Sequence, residues 1–145
     1  MKKVIFTAVA AVCLSAAPAF ANVFICKFNT DEGSYIQPEI AFGFNDAGDR
    51  AIAFDGIIAA FNESPVQANI VDNSAKKISV VWSVRIKDRQ QQWARMNYRL
   101  AYFKDTNRAM IRAKPAGYVN DFEERGACQR TNMSLDQLRR IDPRS

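Results

Sequence analysis

Few residues in this chain can do chemistry. Among its 145 residues there is no histidine. That removes imidazole metal ligands, histidine-based triads and the usual general base. Of three cysteines, Cys13 falls in an N-terminal apolar run, which leaves Cys26 and Cys128. No glycine-rich phosphate cradle occurs. Paired carboxylates remain, as in glycoside hydrolysis. Asp31-Glu32 and Glu123-Glu124 are adjacent acids in polar stretches, where carboxylates are normally solvated. Asp46 and Asp49 flank Gly48 and could approach a calcium ion, but the twelve-residue ligand loop is missing and the stretch reads as a turn. The residues argue against an enzyme and imply no cofactor and no metal.

The charge pattern says more. Residues 22–75 hold 2 basic and 8 acidic side chains, residues 76–118 hold 11 and 2, and residues 119–145 hold 5 of each. The middle of the chain is therefore strongly cationic between an acidic and a neutral part. Basic clusters attract lipopolysaccharide, peptidoglycan components, nucleic acid or acidic proteins.

The elements that position these cations follow from the alternation. Lys77–Lys87 and Trp93–Phe103 flank the polar turn Asp88-Arg89-Gln90-Gln91-Gln92. A side-chain period of two puts Ile78, Val80, Trp82, Val84 and Ile86 on one face, and Ala94, Met96, Tyr98, Leu100 and Tyr102 on the same face of the next strand. A turn centred near Gln90 sets Trp82 across from Tyr98, Val84 across from Met96 and Arg85 across from Arg95. After the four-residue loop Lys104–Asn107, pairing Phe103 with Arg108 sets Leu100 against Ile111, Tyr98 against Ala113, Arg99 against Arg112 and Asn97 against Lys114. Slipping either register by one residue would invert every side chain. Arg85, Lys87, Arg95, Arg99, Arg112 and Lys114 then form a basic stripe on the outer face of a three-stranded sheet, a candidate anion-binding surface. Like charges facing one another destabilise a sheet, so acids from the N-terminal half or from Asp121–Glu124 are expected nearby. Trp82, Met96, Tyr98 and Tyr102 face inward. They read as packed core, or as the ligand-facing wall of a barrel cavity. Most aromatics thus face away from the cations, which argues against the interleaved stacking surface that single-stranded nucleic acid uses.

The rest of the chain reads as short strands and turns. Asn22–Phe28 is a first strand with Phe24, Cys26 and Phe28 on one face. Ile40, Phe42 and Phe44 share a face of a strand that begins after Pro38. Asn45–Asp49 is a turn, and Ala51–Phe54 returns as its hairpin partner. Ile57–Phe61 is a short apolar run whose length and flanks favour a strand. Val66, Ala68 and Ile70 alternate with Gln67 and Asn69. Tyr118–Phe122 is expected as the last strand. Ser134 and Gln137 have capping-box spacing ahead of Leu138 and Ile141, which predicts a short C-terminal helix closed by Pro143. The fold class is all-β, an antiparallel barrel (or sandwich) of seven to eight strands, with the barrel preferred.

Residues 1–21 have the form of a secretory signal peptide. Lys2 and Lys3 precede the apolar Val4–Leu14, and Ala19-Phe20-Ala21 offers small residues at a cleavage site after Ala21. The apolar run is short for a membrane anchor, and Val12 before Cys13 is a poor context for lipid attachment. Residues 22–145 then form a single β domain of periplasmic or secreted location, not membrane-spanning after cleavage. Export implies an oxidising compartment, so Cys26 and Cys128 are expected as one disulfide. A redox pair would want closer spacing and a helix start.

The signal peptide, Cys26 on the first strand, Cys128 near the end and the Trp- and Tyr-rich sheet between them resemble small exported bacterial β-barrel proteins, among them periplasmic inhibitors of c-type lysozyme. The likeness covers the layout of residues 22–145. The inhibitors' Ser-Gly-x-x-Tyr loop is absent, and Arg99, Lys104 and Lys114 stand in no motif that matches their later lysine-bearing loop. The stretch GYVNDFEERGAC is similar to exported proteins without assigned function. Three functions are consistent with these readings: a non-enzymatic interaction protein of the cell envelope, a carrier of a small apolar ligand, and a binder of anionic glycan or lipid.

Overall fold

A computed structural model describes residues 22–133. The expected signal peptide and C-terminal helix lie outside the described residues. Eight strands run in chain order, β1 (Asn22–Phe28), β2 (Glu39–Phe44), β3 (Ala51–Asp55), β4 (Val66–Asn73), β5 (Lys77–Lys87), β6 (Trp93–Phe103), β7 (Arg108–Pro115) and β8 (Phe122–Thr131), with a helix α1 (Gly56–Asn62) between β3 and β4. Each strand pairs antiparallel with the next, and β8 pairs with β1 to close a barrel. Closure leaves no free sheet edge. The Cys26–Cys128 disulfide joins β1 to β8, linking the strands that close the barrel.

The registers are those the alternation dictates. Trp82 faces Tyr98, Val84 faces Met96 and Arg85 faces Arg95. Leu100 faces Ile111, Arg99 faces Arg112 and Asn97 faces Lys114. Asp88 fixes the β5–β6 turn by accepting from the Gln92 amide at 2.9 Å, with Gln91 in the left-handed region. The β6–β7 turn rests on Asn107, whose Oδ1 accepts from the Tyr102 hydroxyl at 2.6 Å and whose carbonyl accepts from the Cys128 amide.

The interior is filled from two levels. Phe24, Phe42 and Tyr102 pack with ring centroids 4.6 to 5.7 Å apart. Trp82 stacks on Tyr98 at 5.4 Å. In β3, residues Ala51 to Asp55 are all buried: Ala51, Ala53 and Asp55 share the inward face of Ile40 and Phe42, and Ile52 and Phe54 lie on the other face with Val23 and Ala41. A strand buried on both faces reads as a continuous apolar run, which AIAF is. Gly126 lets the backbones of β8 and β1 close up, since a Cβ there would fall on the Lys27 carbonyl oxygen and the Phe28 ring.

Two elements differ from the sequence reading. The run 57–61 is helical rather than a strand. Asp55 caps it, its Oδ1 accepting from the Ile58 amide at 2.8 Å, and Ile58 is driven into the core. That cap satisfies one of the amides a helix start leaves open. The last strand is Phe122–Thr131 rather than 118–122, because Arg112, Ala113 and their neighbours pair with Glu123, Phe122 and the residues that follow.

The β1–β2 loop, α1, the β5–β6 turn and the β7–β8 loop all gather at one end of the barrel. Ile36 and Ile58 are buried there, and the Tyr98 hydroxyl donates to the Tyr35 carbonyl at 2.8 Å. No helix among the described residues is long and apolar enough to cross a membrane.

Candidate functional site

The six cations of the stripe are brought onto one outer face of β5, β6 and β7, as their registers require. Their electrostatic surroundings divide them. Arg112 is neutralised, with its Nη2 2.6 Å from Glu123 Oε2 and its Nε 3.5 Å from Asp121. The hydrogen bond to Glu123, then the charges of Glu123 and Asp121, raise its pKa further. Arg85 and Lys87 lie against the exposed Trp93 ring, 5.0 and 5.2 Å from its centroid. Arg95, Arg99 and Lys114 have no ion-pair partner among the described residues. The acidic stretch 121–124 therefore compensates one cation. The acids of residues 22–75 do not reach the stripe: Glu39 pairs with Lys27 and Asp72 with Lys77.

A groove of about 510 Å3 crosses β4 to β7 and is lined by Gln67, Asn69, Ser83, Asn97, Arg99 and Lys114, among others. The Ser83 hydroxyl donates to Asn97 Oδ1 at 2.7 Å, which leaves the Asn97 amide N–H2 for other acceptors. Sequence reasoning found the cations but not Trp93. Extending the β6 alternation by one residue places it with Arg95, and 53% of it is exposed.

The four inward candidates are all buried, Trp82 and Tyr102 at 4% exposure, Tyr98 at 2% and Met96 at 1%. Burial pushes the Tyr98 phenol well above its ordinary range, with Asp55 and Tyr35 adding to it, and burial raises Tyr102 as well. Asp55 is the one buried carboxylate among the described residues. Desolvation lifts it to about 6, against the lowering effect of the Ile58 and Ile57 amides. Its Oδ2 and the Trp82 Nε1 are buried without a hydrogen-bond partner among the described residues. A concavity of about 190 Å3 lies at the helix-bearing end, lined by Tyr35, Ile86, Ala94, Met96 and Tyr118, among others.

The remaining acids do not assemble. Asp46 and Asp49 sit in the β2–β3 turn, where Asn45 bonds Asp49 and Gly48 takes a φ of 69°. No group of three or more His, Cys, Asp or Glu is clustered among the described residues. Glu123 is committed to Arg112, and Asp31 and Glu32 are exposed in a loop.

No protein-family model, curated protein or solved structure matches this chain. The functional reading therefore rests on the chain's own geometry.

Proposed function

We propose that this is a non-enzymatic, exported interaction protein that binds an anionic partner of the cell envelope through the outer face of β5–β7. The observation that carries the reading is the trio Arg95, Arg99 and Lys114, held without acid partners among the described residues on one outer face, with Arg99 and Lys114 lining its groove. Like charges opposed across strands cost stability, and an anionic partner would relieve that cost. The disulfide fits an oxidising, periplasmic or secreted location. The test is titration with inorganic polyphosphate at low and high salt, using the wild type and an Arg95→Glu/Arg99→Glu variant. Salt-sensitive binding that the variant loses supports the reading. Equal binding by both sinks it.

The carrier of a small apolar ligand stays as a second reading because the Trp82 indole N–H is buried without an acceptor among the described residues. Buried donors are ordinarily satisfied. Native mass spectrometry of protein isolated gently from its own envelope decides it. A small-molecule mass that is lost on denaturation supports a carrier, and a clean protein mass retires it. Inhibition of c-type lysozyme is a narrower form of the interaction reading, and unslowed cell-wall lysis at excess protein would retire that form.

A further inference from the structure

We infer that the anionic partner is an acidic oligosaccharide, bound along a track that starts on Trp93 and runs down the groove between β4 and β7. This deepens the proposed function and rests on it.

The side chains on this face have the composition that sugars require. At one end stands an indole, half exposed and fixed in place. The Phe61 ring of α1 stands at 72° to it with centroids 6.4 Å apart, and Arg85 and Lys87 lie over it. The part of the indole that these neighbours leave open can take the apolar C–H face of a sugar ring. Beside it are cations for carboxylate or sulfate groups, Arg95 next to Arg85, then Lys114 and Arg99. Among the cations lie Ser83 and Asn97, and Gln67 and Asn69 flank them on β4; these hydroxyl and carboxamide groups can donate to or accept from sugar hydroxyls. Six residues along β6 separate Trp93 from Arg99, about 20 Å at the usual strand rise. That is long enough for several sugar units in a row.

The same features disfavour other anions. A nucleic-acid strand is held by stacking successive bases, and the aromatics that the β5–β7 registers place on this outer face, Trp93 and Phe103, stand at opposite ends of β6. An anionic membrane would be met by apolar side chains flanking the cations. The other exposed apolar residues near this end lie off the face, Phe61 on α1, Tyr118 and Val119 in the β7–β8 loop and Phe122 at the start of β8.

The test is a set of titrations on the full protein at one ionic strength. The probes are an oligogalacturonate hexamer, a neutral cello-oligosaccharide of equal length, polyphosphate of equal charge, a thymidine oligonucleotide and phosphatidylglycerol vesicles. The inference predicts that the oligogalacturonate binds tightest. It predicts that Trp93→Ala weakens it roughly tenfold, as loss of an aromatic anchor does, while leaving polyphosphate binding within about twofold. Lys114→Gln and Arg99→Gln should weaken both. Thermal melts of each variant should match the wild type, since all three sites are exposed. If polyphosphate, the oligonucleotide or vesicles bind as tightly as the oligogalacturonate, or if Trp93→Ala is neutral, the inference is overturned while the anion-binding reading stands. If no anion binds, both fall.

Discussion

Asp55 should make this fold less stable as pH rises through the weakly acidic range, against the usual behaviour of a carboxylate. Its carboxyl is lifted from 3.8 to about 6 because burial disfavours the charged form more than the Ile58 and Ile57 amides favour it. A folded-state pKa above the unfolded one means that the folded protein holds a proton the unfolded chain has released. The contribution is fully present below about pH 4, falls as pH rises from there to about 6, and is gone above it. A displacement of about two pKa units corresponds to roughly 3 kcal/mol. Urea unfolding from pH 4 to pH 8, followed by far-ultraviolet circular dichroism, measures it. Other carboxylates titrate in the same range, so the quantity to read is the difference between wild type and Asp55→Asn. The amide keeps an acceptor for the Ile58 N–H and cannot ionise. The wild type should lose on the order of 3 kcal/mol relative to the variant between pH 4 and pH 7. A difference that is flat with pH, or that runs the other way, would refute the argument.

Three further perturbations test the packing. Replacing Cys26 and Cys128 by alanine opens a loop of 102 residues, and denaturant melts should show a loss of roughly 2–5 kcal/mol. Gly126→Ala should be more damaging than its single methyl suggests, costing at least about 3 kcal/mol, because the methyl meets backbone that β1 cannot move without unpairing; a variant as stable as wild type would contradict the close approach. Phe42→Ala removes a ring that contacts Phe24, Phe44 and Tyr102, and should cost about 3–5 kcal/mol by the same melts.

Much of this barrel was legible in the chain because its alternation is strict where it matters. Lys77–Lys87 and Trp93–Phe103 admit one register, and the loop Lys104–Asn107 fixes the next. The helix α1 was not legible. Gly56-Ile57-Ile58-Ala59-Ala60-Phe61 is apolar at nearly every position, so it shows neither period. The available signal was Asp55 as a cap, and it lacked the acidic or amide partner three residues on that completes a capping box. The last strand was placed early because Phe122–Thr131 carries charged and small residues at positions that face the core, such as Glu124 and Gly126. Of the candidate site, the cations and their face followed from parity alone. Its fourth wall did not, because β4 meets β5 through a bulge between Ile70 and Asp72 that no alternation announces. Which cations are neutralised was likewise beyond the sequence, since Arg112 finds Glu123 through the β7–β8 pairing.

The central claim is that an anion meets the outer face of β5–β7. The most direct measurement is an amide chemical-shift map of the isotopically labelled protein titrated with inorganic polyphosphate. Saturable shifts confined to the strand segments around Arg95, Arg99 and Lys114, abolished by Arg95→Glu/Arg99→Glu, are what the account predicts. Shifts centred instead on the barrel interior around Trp82 and Tyr98, or spread evenly over the surface, would contradict it.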